Sequence, residues 1–105
     1  MLGSIRTYNL RSLSFRKLYA HWMRVIIRNP ERVFFEGFAR RAILPGEDGE
    51  FSIWDFNQTL IATLEKGNVV LNLGKGIPSE TIKINPGVAA FDRNELMILC
   101  LWSYN

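Results

Sequence analysis

From Met23 onward the sequence is a succession of short apolar runs: MRVIIRN, RVFFEG, FARRAIL, EFSIW, TLIATL, NVVLNL, ETIKIN, GVAAFD and ELMILCLW. Each is of strand length and rich in Val, Ile, Phe and Leu. Turn-forming residues separate them, at Asn29-Pro30, Glu36-Gly37, Pro45-Gly46 through Gly49, Lys66-Gly67-Asn68, Gly74 to Pro78, Pro86-Gly87 and Arg93-Asn94. Breaks at this spacing leave no room for long helices and predict an all-β, antiparallel sandwich of about nine or ten short strands. In TIKIN the alternation is explicit, with Ile82 and Ile84 on one face and Lys83 on the other. The stretch from Asp55 to Gly67 also fits a helical turn through Leu60, Ile61 and Leu64, but its length and neighbours favour a strand.

With 105 residues the chain holds one core. No apolar stretch approaches the ~20 residues that span a bilayer as a helix. The start MLGSIRTYNL lacks the continuous apolar segment of a secretory signal. The single cysteine, Cys100, excludes an internal disulfide, and its apolar run predicts a buried, inert thiol. A soluble chain in a reducing compartment is the expectation.

Charge divides the chain. Residues 1–30 carry six basic residues and no acid, whereas residues 31–105 carry seven basic and ten acidic ones. The basic balance therefore belongs to the head, and a mildly acidic body is poorly suited to nucleic acid. Within the head, Phe15, Leu18, Tyr19 and Trp22 fall at the spacing of one helical face. Residues 1–22 read as a leader, either disordered or a basic amphipathic helix. Such a helix would serve as a membrane-surface anchor, a mitochondrial targeting segment or a nucleic-acid arm.

Catalytic chemistry finds little support. The only histidine, His21, lies in the leader, so a nucleophile with a histidine base and a histidine metal site both lack their parts. GEDGE lacks the ligand spacing and distal Glu of a calcium loop. GKGIP, residues 74–78, lacks the spacing and following helix of a phosphate cradle. Paired carboxylates without a sizeable cleft do not make a glycosidase. No catalytic residue, cofactor or metal is expected.

Residues 29–53, NPERVFFEGFARRAILPGEDGEFSI, resemble the opening of the epsilon subunit of F-type ATP synthases, called delta in mitochondria. Pro30-Glu31-Arg32-Val33, Glu36-Gly37, Leu44-Pro45-Gly46, Gly49-Glu50, Ile53, Leu60, Leu64 and Gly67 match without a gap. Gly87, Phe91 and Leu96 to Leu99 match further on, so the resemblance covers Met23 to about Leu101. It implies the amino-terminal β-sandwich domain of a non-catalytic central-stalk (rotor) subunit. Such a subunit links the gamma subunit to the membrane ring and supports coupling of proton flow to ATP synthesis. It sits peripherally on the cytoplasmic side of a bacterial plasma membrane, or on the matrix side of the mitochondrial inner membrane if residues 1–22 are a targeting segment.

Residue by residue, the resemblance assigns Glu50 to contact with basic ring loops; the alternative is that Glu50 merely wets a strand edge. Glu47 and Asp48 are expected to be solvated turn residues. Trp54, Phe56 and Asn57 are possible gamma contacts, with a core role for Trp54 or Phe56 as the alternative. Here the chain departs from the family, reading WDFNQT where members read like LPGHAP, with Asn57 at the histidine. The chain also stops at LWSYN, where the family continues into a two-helix hairpin linked to inhibition of hydrolysis and to ATP binding, so neither role is carried over. The alternative function is a small β-sandwich module held at a membrane or nucleic acid by its basic leader.

Overall fold

The computed structural model describes residues 22–55 and 57–100 and contains nine strands. They are β1 (Met23–Arg28), β2 (Val33–Ala39), β3 (Arg41–Gly46), β4 (Gly49–Trp54), β5 (Leu60–Leu64), β6 (Gly67–Asn72), β7 (Glu80–Ile84), β8 (Gly87–Asp92) and β9 (Glu95–Cys100). The ambiguous stretch after Asp55 is indeed a strand, β5. Most of residues 1–22 lies outside the described residues. Trp22 is included, and its carbonyl accepts a hydrogen bond from Asn94 Nδ2 at 2.9 Å.

The strand order β2-β1-β9-β8-β5-β3-β6-β7, with β4 on the free side of β3, wraps one nearly closed sheet around a single core. Two layers can be distinguished in it: β2-β1-β9-β8-β5 and β7-β6-β3-β4. Alternation puts Met23, Val25 and Ile27 of β1, Leu96, Ile98 and Cys100 of β9, and Ala89 and Phe91 of β8 inward. Across from them lie Ala42 and Leu44 of β3, Ile53 of β4, and Val69 and Leu71 of β6, all fully buried. Burial pushes the Cys100 thiol above its usual range, which agrees with an inert core cysteine.

Three features differ from the sequence reading. Glu36-Gly37 is not a break. β2 runs through it, with Gly37 opposite Val25, and the chain turns instead at Arg40. Gly37 lies mid-strand beside the edge of the Phe35 ring. Pro45 and Gly46 likewise belong to β3, leaving Glu47 and Asp48 as a two-residue turn. Finally, β1 pairs with β9 in parallel, while the other pairings are antiparallel. The β8–β9 turn makes this possible. Arg93 and Asn94 both take positive φ, as a type I′ turn requires, and Asn94 O then accepts the Arg24 N–H at 3.1 Å.

Gly87 shows how tightly β8 and β9 are packed side by side. A Cβ there would overlap the Leu99 carbonyl oxygen and lie 2.9 Å from Cys100 Cα, both backbone atoms that cannot swing away. At Gly37 the added Cβ would meet only a Phe35 ring edge at 3.3 Å. Gly87→Ala should therefore cost about 3 kcal/mol or prevent folding, whereas Gly37→Ala should cost less than about 1 kcal/mol. Urea unfolding of the two variants checks this; equal midpoints would show that the β8–β9 spacing is not fixed by Gly87.

Candidate interaction surface

The acidic hairpin ILPGEDGEF gains its geometry from its glycines. Gly46 and Gly49 pair across the two-residue turn. A Cβ on Gly46 would lie 2.6 Å from Gly49 O and 2.7 Å from the Phe51 ring, and Gly49 has φ +127°. Both positions therefore demand glycine. Main-chain bonds then tie the tip to the other layer: Glu47 N–H donates to Thr63 O at 3.0 Å, and Glu65 N–H donates to Pro45 O at 2.8 Å. The tip is thus anchored to β5 as well as within its own hairpin.

Glu47 and Asp48 are exposed on that tip, as expected. Glu50 follows in β4 opposite Pro45, also exposed, and β4 is an edge strand. Its carboxylate stands on a rigid backbone with no ion pair to another described residue. Trp54 closes the same strand and is half exposed, so it is not a core residue; Ile53 takes that place. The Arg41 guanidinium lies 5.8 Å over the indole, a distance suited to cation–π attraction. Glu50, Ser52 and Trp54 share one face of β4, but four residues separate the ends by about 13 Å. They do not form one cluster. Asn57 donates its N–H to Trp54 O at 3.1 Å and closes the turn after β4. Phe56 lies outside the described residues.

A larger surface escaped the sequence reading. On the outer side of β1, β9, β8 and β5, Ile26 stands opposite Met97, Met97 opposite Ala90, and Ala90 opposite Ile61. Four strands at their usual spacing make this row about 14 Å long. Leu99 and Val88 form a second row beside it. Ile61 is 77% exposed, the most open of the large apolar side chains in this row, while Val88, Met97 and Leu99 are also exposed. At one margin Arg24 bridges Glu36 at 2.6 Å and Glu95 at 3.3 Å. The signal lay in ELMILCLW, an apolar run that does not alternate. Strands of that kind are covered on both faces.

No three His, Cys, Asp or Glu side chains are grouped to hold a metal among the described residues. The arrangement is a β-sandwich with a fixed acidic tip and an apolar outer face. A family model for the ATP synthase, Delta/Epsilon chain, beta-sandwich domain matches residues 22–101, and the chain belongs to that family. It is 30% identical over 82 residues to an ATP synthase epsilon chain of Leptospira borgpetersenii, covering 78% of this chain and 63% of that one. With an ATP synthase epsilon chain of Sulfurimonas denitrificans it shares 35% over 78 residues, 73% of this chain and 58% of the relative. The match thus spans about three fifths of the length of these relatives. Among solved structures, a chain of the Euglena gracilis mitochondrial ATP synthase superposes with a TM-score of 0.71 at 10% identity, over 79% of this chain and 52% of that one. A chain of the Tetrahymena thermophila mitochondrial ATP synthase central stalk and c-ring gives 0.62 at 17%, over 79% and 66%. These two likenesses establish the shared fold.

The two faces of β5, β8 and β9 should respond differently to substitution. Ile61→Ser and Leu99→Ser should each change unfolding free energy by no more than about 0.5 kcal/mol. Phe91→Ala, on the buried side of the same ladder, should cost about 3–5 kcal/mol. If Ile61→Ser proves as damaging as Phe91→Ala in urea unfolding, the outer face is not open in the free protein.

Proposed function

We propose that this chain is a non-catalytic central-stalk (rotor) subunit of a proton-translocating F-type ATP synthase. In this role it joins the gamma subunit to the membrane ring and helps couple ion flow to ATP synthesis. The observation that carries the reading is the family match across residues 22–101, which takes in the whole described sandwich. Residues 1–22 act as a separate leader in this account. The subunit sits at the membrane through the complex, on the cytoplasmic face in a bacterium or the matrix face in a mitochondrion.

The geometry suits a part that transmits torque. A rotor element must hold two partners without yielding between them, and the bonded tip and shared core supply that stiffness. Gamma takes the apolar outer face of β5, β8 and β9, where Ile61, Val88, Met97 and Leu99 offer the apolar centre that a stable interface needs. Trp54, Phe56 and Asn57, at and after the end of β4, are further candidate contacts with gamma. Glu50 meets basic loops of the ring, with its backbone already fixed on the β4 edge, so that only its side chain is ordered on binding.

A charge-assisted contact of this kind is worth roughly 1.5–3 kcal/mol when desolvated, and less where water screens it. Glu50→Gln should leave the fold unchanged. Glu50→Lys should loosen the ring contact and lower proton pumping in reconstituted complexes, while gamma still co-purifies. Asp48→Lys should do less, because its side chain sits at the solvated turn. Ile61→Asp with Leu99→Asp should reverse the pattern, losing gamma from the purified complex. Should Glu50→Lys assemble and couple like the parent, or Asp48→Lys prove worse, the role given to Glu50 is wrong.

A further inference from the structure

β5 is paired with β8 from Leu60 to Leu64, but on its other side it meets β3 at one bridge, Gly46 with Leu64. The bonds at that bridge use Thr63 O and Glu65 N. Since alternate residues of a strand direct their main-chain groups to the same edge, Ile61 N–H and C=O and Thr63 N–H also face away from β8. No strand meets them there among the described residues. The space beside them is a cleft of about 490 Å³, walled by Leu60 and Ile61 on one side and by Glu47, Asp48 and Phe51 of the hairpin on the other.

Open strand edges invite pairing, and proteins usually block them with charge, proline or a bulge. The other edges here are blocked in that way: β2 carries Glu36 and a register shift near Arg28, β4 carries Glu50, and β7 carries Glu80 and Lys83. β5, with the sequence LIATL, has none of these devices. The cleft walls add direction to the vacancy. They contribute Glu47 and Asp48 but neither lysine nor arginine.

We propose that the free edge of β5 accepts an extended segment of a partner protein, in which apolar residues alternate with lysine or arginine. The segment adds a short strand, exchanging hydrogen bonds with Ile61 and accepting one from Thr63 N–H at a carbonyl oxygen. Its apolar side chains turn toward Phe51 and Leu60, and its cations turn toward Glu47 and Asp48. A second copy of β5 would bring no cation to the cleft, so self-pairing fits less well. The proposal does not depend on the stalk reading, because it rests on the edge and the cleft alone.

The test uses the full chain labelled with nitrogen-15 and the capped peptide Val-Lys-Val-Lys-Val as probe. Saturable shifts of the Ile61 and Thr63 amides, with hydrogen exchange there slowed about tenfold or more, are expected. The Val-Gln-Val-Gln-Val peptide should bind about tenfold more weakly at low salt. Ile61→Pro removes a donor that β8 does not use and should abolish binding. Glu47→Lys with Asp48→Lys leaves the edge intact and should weaken binding about tenfold, which keeps the test decisive if the proline variant does not fold. Unmoved Ile61 and Thr63 amides, or equal affinity for the two peptides, would overturn the proposal. So would strong protection of Ile61 before any peptide is added, whether it vanishes on dilution or on removal of residues 1–21.

Discussion

Two main-chain hydrogen bonds, from Glu47 N–H to Thr63 O and from Glu65 N–H to Pro45 O, join the layers of this sandwich where β3 turns over onto β5. Without them the β3–β4 hairpin would be a free arm at the rim of one layer. With them, the tip is fixed relative to β5, β8 and β9, and the acidic residues inherit the stiffness of the core. Proline suits this joint because the bond from Glu65 uses its carbonyl alone. Gly46 suits it because no side chain fits between Gly49 O and the Phe51 ring. LPGEDGE is therefore a structural joint first, and the fold leaves its acids exposed.

The joint also organises the surfaces. Because β3 commits its end to β5 at a single point, the rest of the β5 edge stays open and a cleft remains beside it. On the outer side, the ladder from β1 through β9 and β8 to β5 lines up apolar residues that the core does not need. Burial inside is already complete, with Val25, Leu96, Ile98, Ala89 and Phe91 essentially inaccessible. An exposed apolar row flanking a saturated core carries no folding role, and a binding role accounts for it better.

Much of this was legible in the sequence. All nine apolar runs fall on strands, since a period of two and turn residues are local properties that the chain writes directly. The limits of legibility are equally physical. Glu36-Gly37 looked like a break because glycine often ends strands, yet β2 runs through it paired with β1, a pairing that local pattern does not encode. The parallel β1–β9 pairing joins residues some seventy positions apart, and only the docking of Asn94 against Trp22 and Arg24 reveals it. Glu50 and Trp54 were picked out by resemblance, and the fold puts them on one face of β4 but at opposite ends. The row through Ile61, Met97 and Leu99 was visible only as a lapse in alternation.

The central claim is that this sandwich works as a rigid coupling piece between two partners. The most direct measurement is the mass and composition of the intact complex recovered from native membranes through a tag on this chain. The account predicts one copy of the chain per assembly, together with gamma and the ring, at a ratio independent of salt. Recovery of the chain alone, or with lipid or nucleic acid that salt removes, would contradict it.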